Sequence, residues 1–278
     1  MLGQRVLTAV VLLALLVPAL FAPLDWPFNL LTLLLIGAAG WEWARLNQVG
    51  MTPSLGMGLG LALACVAALA AGWALQPPAA AWWLAAAVWA VGGTLALRSG
   101  PSLWPQLPRQ ARLALGLAAL WAAWLAMCHA RSIGINFILS VFCLVWVADI
   151  AAYFGGRRFG KRKLAPSISP GKSWEGVYSG MAGVFVLTLA WRALEVNFKT
   201  DSSSLFGQLL AQLGLLGGLT ALAFLAGMSV VGDLVESLVK RAAGAKDSSR
   251  LLPGHGGVLD RVDALLPVFP LALALLSL

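Results

Sequence analysis

The sequence predicts an all-α polytopic membrane protein of about nine transmembrane helices, with a polar cavity facing the cytoplasm. Three observations carry this prediction. Of the 278 residues, 60% are hydrophobic and only 11% are charged, where a soluble domain carries about a quarter. Apolar runs near the ~20 residues needed to cross a bilayer recur along the whole chain. Counted as crossings, those runs also sort the Lys and Arg residues almost entirely to one side. The runs are continuous rather than alternating, which excludes a closed β-barrel.

In order, the predicted spans are 6–24, 28–46, 55–75, 79–97, 112–130, 133–153, 176–194, 206–231 and 264–278. The first follows Arg5 and imitates a signal peptide, but with so many spans behind it an uncleaved helix is the better reading. Before residue 130 the runs are rich in Ala, Leu and Trp. Trp26, Trp41, Trp43, Trp82, Trp83 and Trp104 fall near span ends, as interfacial anchors do. Residues 1–130 thus form an N-terminal group of five spans. Residues 131–278 form a C-terminal region with two basic loops, 154–175 and 232–263.

Nine crossings place 16 of the 19 Lys and Arg residues on one side. These are Arg5, Arg45, Arg98, Arg109 and Arg112, six residues between 154 and 175, and five between 232 and 263. Arg131, Arg192 and Lys199 are left for the other side. The positive-inside rule then puts the N-terminus and both basic loops in the cytoplasm. One miscounted span would scramble the asymmetry. The last span is the weakest: from Ala264 to Leu278 a helix rises about 22 Å, and Pro267 and Pro270 lie near its start. A helix beginning earlier, near Val258, would draw Asp260 and Asp263 below the membrane surface into a wet cavity.

Cys65, Cys128 and Cys143 all lie in apolar runs without a CxxC pair, so they read as small hydrophobes rather than a disulfide or metal framework. The net charge of +8 suits anionic lipid head groups or anionic substrates. Nothing in the chain resembles a nucleic-acid module, so no nucleic-acid partner is expected.

Chemistry concentrates between Ser237 and Asp263. That stretch holds Lys240, Arg241, Lys246, Asp247, Arg250, His255, Asp260, Arg261 and Asp263 between two apolar runs. Cations that grip phosphate oxygens beside carboxylates that grip a divalent ion point to phosphoryl or nucleotidyl transfer at a membrane surface. Asp233, Glu236 and Ser237 share one helix face, which Lys240 and Arg241 extend; ordinary ion pairs are the plainer alternative. Asp149, near the end of the sixth span, either has a functional role or pairs with an Arg of the adjacent loop. Asp260 and Asp263 are spaced i, i+3, so in a helix both point the same way. Two such carboxylates plus substrate phosphates are a usual way to hold Mg²⁺.

Arg261 projects elsewhere, toward phosphate. In Pro253-Gly254-His255-Gly256-Gly257 the glycines let backbone N–H groups approach an anion. His255 either contacts a phosphate or ribose, or caps that loop. Zinc is not expected, since His129 and His255 are the only histidines and lack ligand spacing. Two segments imitate a nucleotide-binding P-loop. Gly155–Lys161 is followed by Arg162 instead of Ser or Thr, and Pro166 stands where Pro170-Gly171-Lys172-Ser173 would need its first glycine.

Ser237, Val239-Lys240-Arg241, Lys246-Asp247, Leu252-Pro253, His255-Gly256-Gly257-Val258 and Asp260-Arg261-Val262-Asp263 resemble, without departure, the signature of phosphatidate cytidylyltransferases. A second segment is also similar to that family: Asp149, Tyr153, Gly156, Phe159-Gly160-Lys161, Ser169-Pro170, Lys172-Ser173 and Glu175-Gly176. The motif resemblance covers roughly 146–263; the first 130 residues agree in hydropathy alone.

The resemblance implies an enzyme of the bacterial inner membrane that converts CTP and phosphatidate to CDP-diacylglycerol and pyrophosphate. Mg²⁺, K⁺ as a second ion, and a homodimer are implied with it. It implies Asp233, Asp260 and Asp263 at the metal, and Lys172 and Ser173 near it. Lys240, Arg241, Lys246 and Arg261 are candidates for phosphate contacts, His255 completes the catalytic set, and Ser237, Gly256 and Gly257 are candidates for substrate binding. A CTP-using polyprenol or phytol kinase would move the γ-phosphoryl group instead. A transporter would use acids such as Asp149 as an ion path.

Overall fold

The computed structural model describes residues 2–278, and each predicted span overlaps a helix, although 6–24 and 55–75 run past the ends of theirs at Phe21 and Ala70. Helices α1 (Leu2–Phe21), α2 (Trp26–Leu46) and α3 (Met51–Ala70) open the chain. Then α4 (Ala79–Ala87) passes through a π-helical turn at Val88–Gly93 into α5 (Thr94–Ser99). Helices α6 (Arg109–Ile133) and α7 (Ile135–Phe159) follow, then a hairpin of β1 (Lys163–Ala165) and β2 (Ser169–Ser173). The chain ends with α8 (Trp174–Asn197), α9 (Leu205–Ala242), the single turn α10 (Leu259–Val262) and α11 (Leu265–Leu276). Among the described residues, six helices are long and apolar enough to cross a membrane: Met51–Ala70, Ala80–Ser99, Arg109–Ile133, Ile135–Phe159, Trp174–Asn197 and Leu205–Ala242.

Four features differ from expectation. The fold is not wholly α, because β1 and β2 pair antiparallel with Lys163 opposite Ser173 and Ala165 opposite Ser169. Helix α9 does not stop at 231. It kinks at Gly214 (φ 69°) and runs on to Ala242, so the first part of the basic 232–263 stretch is helix. Residues 215–242 rise about 42 Å, well beyond a ~30 Å hydrocarbon core. Trp26 and Trp83 are exposed as anchors should be, but Trp43, Trp82 and Trp104 are buried in the core. The Trp43 indole donates to the Arg112 carbonyl at 3.0 Å and packs edge-on against Trp104. Finally, α11 is only about 18 Å long, and Leu265 through Ala274 are all buried. It packs against α4, α6, α7 and α9 rather than lying in lipid.

Small residues set the close helix approaches. A methyl at Gly58 of α3 would sit 2.5 Å from the Gly37 carbonyl of α2. Between α7 and α8, Gly176 and Gly180 face the Ala152 and Ala148 carbonyls, each leaving only 2.9 Å for a Cβ. Without a hydrophobic drive between helices in lipid, such backbone proximity supplies the attraction.

The turn between α6 and α7 depends on Gly134 (φ 150°), where a Cβ would fall 2.3 Å from Ser202 Oγ. Asp201, in the α8–α9 loop, accepts from the free N–H groups of Ile135 and Asn136 at the start of α7. Partial burial pushes the Asp201 carboxyl up, but these two donors outweigh it and hold the group below its usual 3.8. Its stabilisation is therefore full at neutral pH and is lost as the pH falls through the lowered value. Asp201→Ala should cost about 1 kcal/mol at neutral pH. In thermal melts of detergent-solubilised protein, the gap to wild type should close as the pH drops below 3.8.

Candidate active site

A polar cavity of about 440 Å³ opens where α7, β2, α8 and α9 meet. Helix α7 contributes Asp149, Tyr153 and Arg157, β2 contributes Ser169, Lys172 and Ser173, and α9 contributes Asp233. Lys172 and Ser173 reach it because the hairpin folds back over the α7–α8 pair. Ser173 then serves as the N-cap of α8, accepting from Gly176 N at 3.2 Å. Gly160 keeps the end of α7 against that cap, since a Cβ there would lie 2.7 Å from Ser173 Oγ. Within the cavity Lys172 Nζ meets Asp233 Oδ2 at 2.7 Å, and Asp149 is exposed to the open space. Ser237 donates to the other Asp233 oxygen at 3.3 Å.

Asp263 lies against this group for a local reason. Gly232 has no side chain, and a Cβ there would be 2.4 Å from the Asp263 carbonyl. The turn after α10 can therefore rest directly on α9, beside Asp233. Burial and then the Asp233 charge push the Asp263 carboxyl up, partly offset by the Ala264 N–H it accepts at 2.8 Å. Two carboxylates that resist joint ionisation are a site that a cation would relieve.

Behind the cavity, a second network is buried. Lys240 Nζ sits at 2.5 Å from both Glu236 Oε2 and Asp260 Oδ1. Asp260 Oδ2 accepts from Ser248 N (2.9 Å), Ser248 Oγ (2.8 Å) and Gly257 N (2.8 Å). Burial pushes the Asp260 carboxyl up, but Lys240, Gly257 and Ser248 outweigh it and hold it at about 2. Gly256 makes this possible with φ 84°, and a Cβ there would lie 2.7 Å from Asp260 Oδ2. Leu252 and Gly256 close the glycine loop with a backbone hydrogen bond of 2.8 Å. A larger cavity of about 500 Å³ lies on the other face of α9, among Trp89, Val235, Leu259 and Leu266. Its walls are mostly apolar, with Glu236 the one charged side chain among them, and do not suit phosphate.

Of the sequence-predicted residues, Lys172, Ser173 and Asp233 line the polar cavity, with Asp263 and Ser237 adjoining. Lys240, Asp260, Gly256 and Gly257 belong to the buried network instead. Arg241 is turned to the Ala245 carbonyl at 3.1 Å, and Lys246 is exposed. Arg261 does not project free: its guanidinium donates twice to the His255 carbonyl, at 2.7 and 3.1 Å, and ties the loop. His255 is half-buried, with Nδ1 lacking a hydrogen-bond partner. Among the described residues, no three His, Cys, Asp or Glu side chains gather as a metal cage.

Arg157 and Glu42 are functional candidates the motifs did not single out. Arg157 lies in a basic loop whose residues the sequence leaves open between phosphate or lipid contacts and positive-inside charge alone. Glu42 lies in a tryptophan-rich helix far from every motif, and its only signal is an acid inside an apolar run.

A profile described as the cytidylyltransferase family matches residues 3–278. The chain belongs to this family. A phosphatidate cytidylyltransferase of Pseudomonas aeruginosa is 41% identical over 278 residues, covering 99% of this chain and 97% of the relative. Another, of Haemophilus influenzae, is 46% identical over 137 residues, covering 49% of this chain and 44% of the relative. A third, of Staphylococcus aureus, is 43% identical over 141 residues, covering 51% and 49%.

In this cytidylyltransferase Lys240 answers two acids at once, and its side chain is only 12% exposed. Lys240→Met should lower stability by about 3 kcal/mol, because two buried carboxylates lose their cation. Adding Glu236→Gln should recover part of that loss, as read by thermal unfolding in detergent.

Proposed function

We propose that this chain transfers the CMP moiety of CTP to phosphatidate, giving CDP-diacylglycerol and pyrophosphate, at the cytoplasmic face of a bacterial inner membrane. The observation that carries the reading is the full-length similarity to a phosphatidate cytidylyltransferase. The polar cavity supports it, since acids and cations converge there at the end of membrane helices. Sixteen Lys and Arg residues on one side support nine crossings with this cavity facing the cytoplasm. A homodimer rests on the family resemblance.

The reaction needs no side-chain nucleophile. A phosphate oxygen of phosphatidate attacks the α-phosphorus of CTP. The bond from that phosphorus to the oxygen it shares with the β-phosphate breaks, and pyrophosphate leaves with the electron pair. What the protein must do is hold two anions in line and meet the charge that shifts to the leaving group. Lys172 and Arg157 bring positive charge to the cavity, and Ser169 and Ser173 bring hydroxyl groups. Lys246, exposed at the mouth of the signature loop, meets phosphate on approach. The acyl tails stay in lipid while the head group enters from the inner leaflet.

The donor set fits Mg²⁺, a hard cation that takes one or two carboxylates together with substrate phosphates and water. Asp233 and Asp263 would hold it, and the Lys172 ammonium already marks the spot as one where a cation is welcome. An ion held by these two carboxylates would supply positive charge against the departing pyrophosphate. Asp260, third of the expected metal acids, is engaged by Lys240, Ser248 and Gly257, and so fixes the turn that presents Asp263. K⁺ as a second ion rests on the resemblance.

With cytidine-labelled CTP, phosphatidate and Mg²⁺, purified protein should move label into lipid, and a chelator should stop it. Label left in soluble CDP would mean a kinase, and no reaction would favour transport. Asp263→Asn and Asp233→Asn should each cut the labelled lipid by about 100-fold or more while the protein stays folded. Cysteines placed at Lys246 and Lys199 should react with an impermeant maleimide from opposite sides of sealed vesicles.

A further inference from the structure

Glu42 is fully buried in α2, yet among the described residues no Lys or Arg lies within ion-pairing distance of it. Taking a carboxylate out of water without compensation is very costly. Here four donors compensate it, and all of them come from the other end of the chain. Oε1 accepts from Ser249 Oγ at 2.6 Å and Val258 N at 3.0 Å. Oε2 accepts from Leu259 N at 2.7 Å and Ser248 Oγ at 3.2 Å. These partners stand 206 to 217 residues away in sequence.

The four donors flank the glycine loop, Ser248 and Ser249 before it and Val258 and Leu259 after it. Val258 and Leu259 also begin the turn that carries Asp260 and Asp263. The Ser248 hydroxyl has one proton and two carboxylates to serve, Asp260 at 2.8 Å and Glu42 at 3.2 Å. The position of Asp260 is therefore tied to that of Glu42. Gly257 completes the fit, because a Cβ there would lie 2.4 Å from Glu42 Oε1 and 2.1 Å from Ser248 Oγ.

We propose that Glu42 is a positioning residue for the transferase site: from the N-terminal half it clamps both ends of the 248–259 loop and so sets the turn bearing Asp260 and Asp263. It touches neither substrate. A glutamine cannot replace it, because an amide nitrogen would face two of the four donors. The proposal rests on the cytidylyltransferase reading. Wild-type protein that made no labelled lipid would sink that reading and leave the exchange test below intact.

The test compares wild type, Glu42→Gln and Glu42→Asp in detergent by thermal midpoint, amide hydrogen exchange, and kcat and KM for both substrates. The expected result for Glu42→Gln is faster exchange confined to residues 248–260, a midpoint close to wild type, and kcat lower by about 10- to 100-fold. KM values should move less than about threefold, and Glu42→Asp, which keeps the charge at a shorter reach, should fall between the two. Wild-type kcat in Glu42→Gln would overturn the proposal. So would exchange raised along the whole chain with a midpoint falling in step with activity, or failure of both variants to fold, since Glu42 would then serve the fold at large.

Discussion

Six carboxylates, Glu42, Asp149, Asp233, Glu236, Asp260 and Asp263, are gathered at one end of an apolar bundle. Negative charge in a low-dielectric setting must be matched by cations or donors, and the polar end of this molecule is organised to do so. Lys240 serves two of the acids, Lys172 serves another, and backbone N–H groups and hydroxyls serve Glu42 and Asp260. Around Asp233 and Asp263 the matching is left incomplete. Under the proposed function, this unfinished part of the network is where added positive charge would be stabilised.

Backbone closeness makes this crowding possible. Gly232 lets the Asp263 turn lie on α9, and Gly256 and Gly257 let the signature loop fold onto Asp260 and Glu42. The extra length of α9 matters equally. Its last turns carry Glu236 and Lys240 to the loop, where Lys240 meets Asp260. Helix α9 thereby parts two environments, a polar cavity along the Asp233 face and an apolar one along the Val235 face.

The mostly helical, membrane-spanning class of fold was legible because lipid imposes a simple rule on composition and run length. Asp233, Lys172 and Ser173, which the motifs single out, do line one cavity. Less could be read where one residue type serves two purposes. Trp43 and Trp104 look like interfacial anchors in sequence, yet they are core, because their indole N–H groups find the Arg112 carbonyl and the Asn47 amide oxygen. Arg261 looks like a phosphate ligand, yet it serves the loop. The difference lies in partners far away along the chain, which spacing cannot reveal. Glu42 is the extreme case, since nothing within its own helix predicts donors more than two hundred residues distant.

Helix α11 carries a consequence for biogenesis. It is too short to stand alone across a bilayer, and Pro270 inside it weakens it further. Its partners α4, α6, α7 and α9 all precede it in the chain, so they are already synthesised when it emerges. Helix α11 must be recruited by a scaffold already resident in the membrane instead of partitioning independently from the translocon. The Asp263 turn leads directly into it, so the placement of Asp263 depends on the docking of α11.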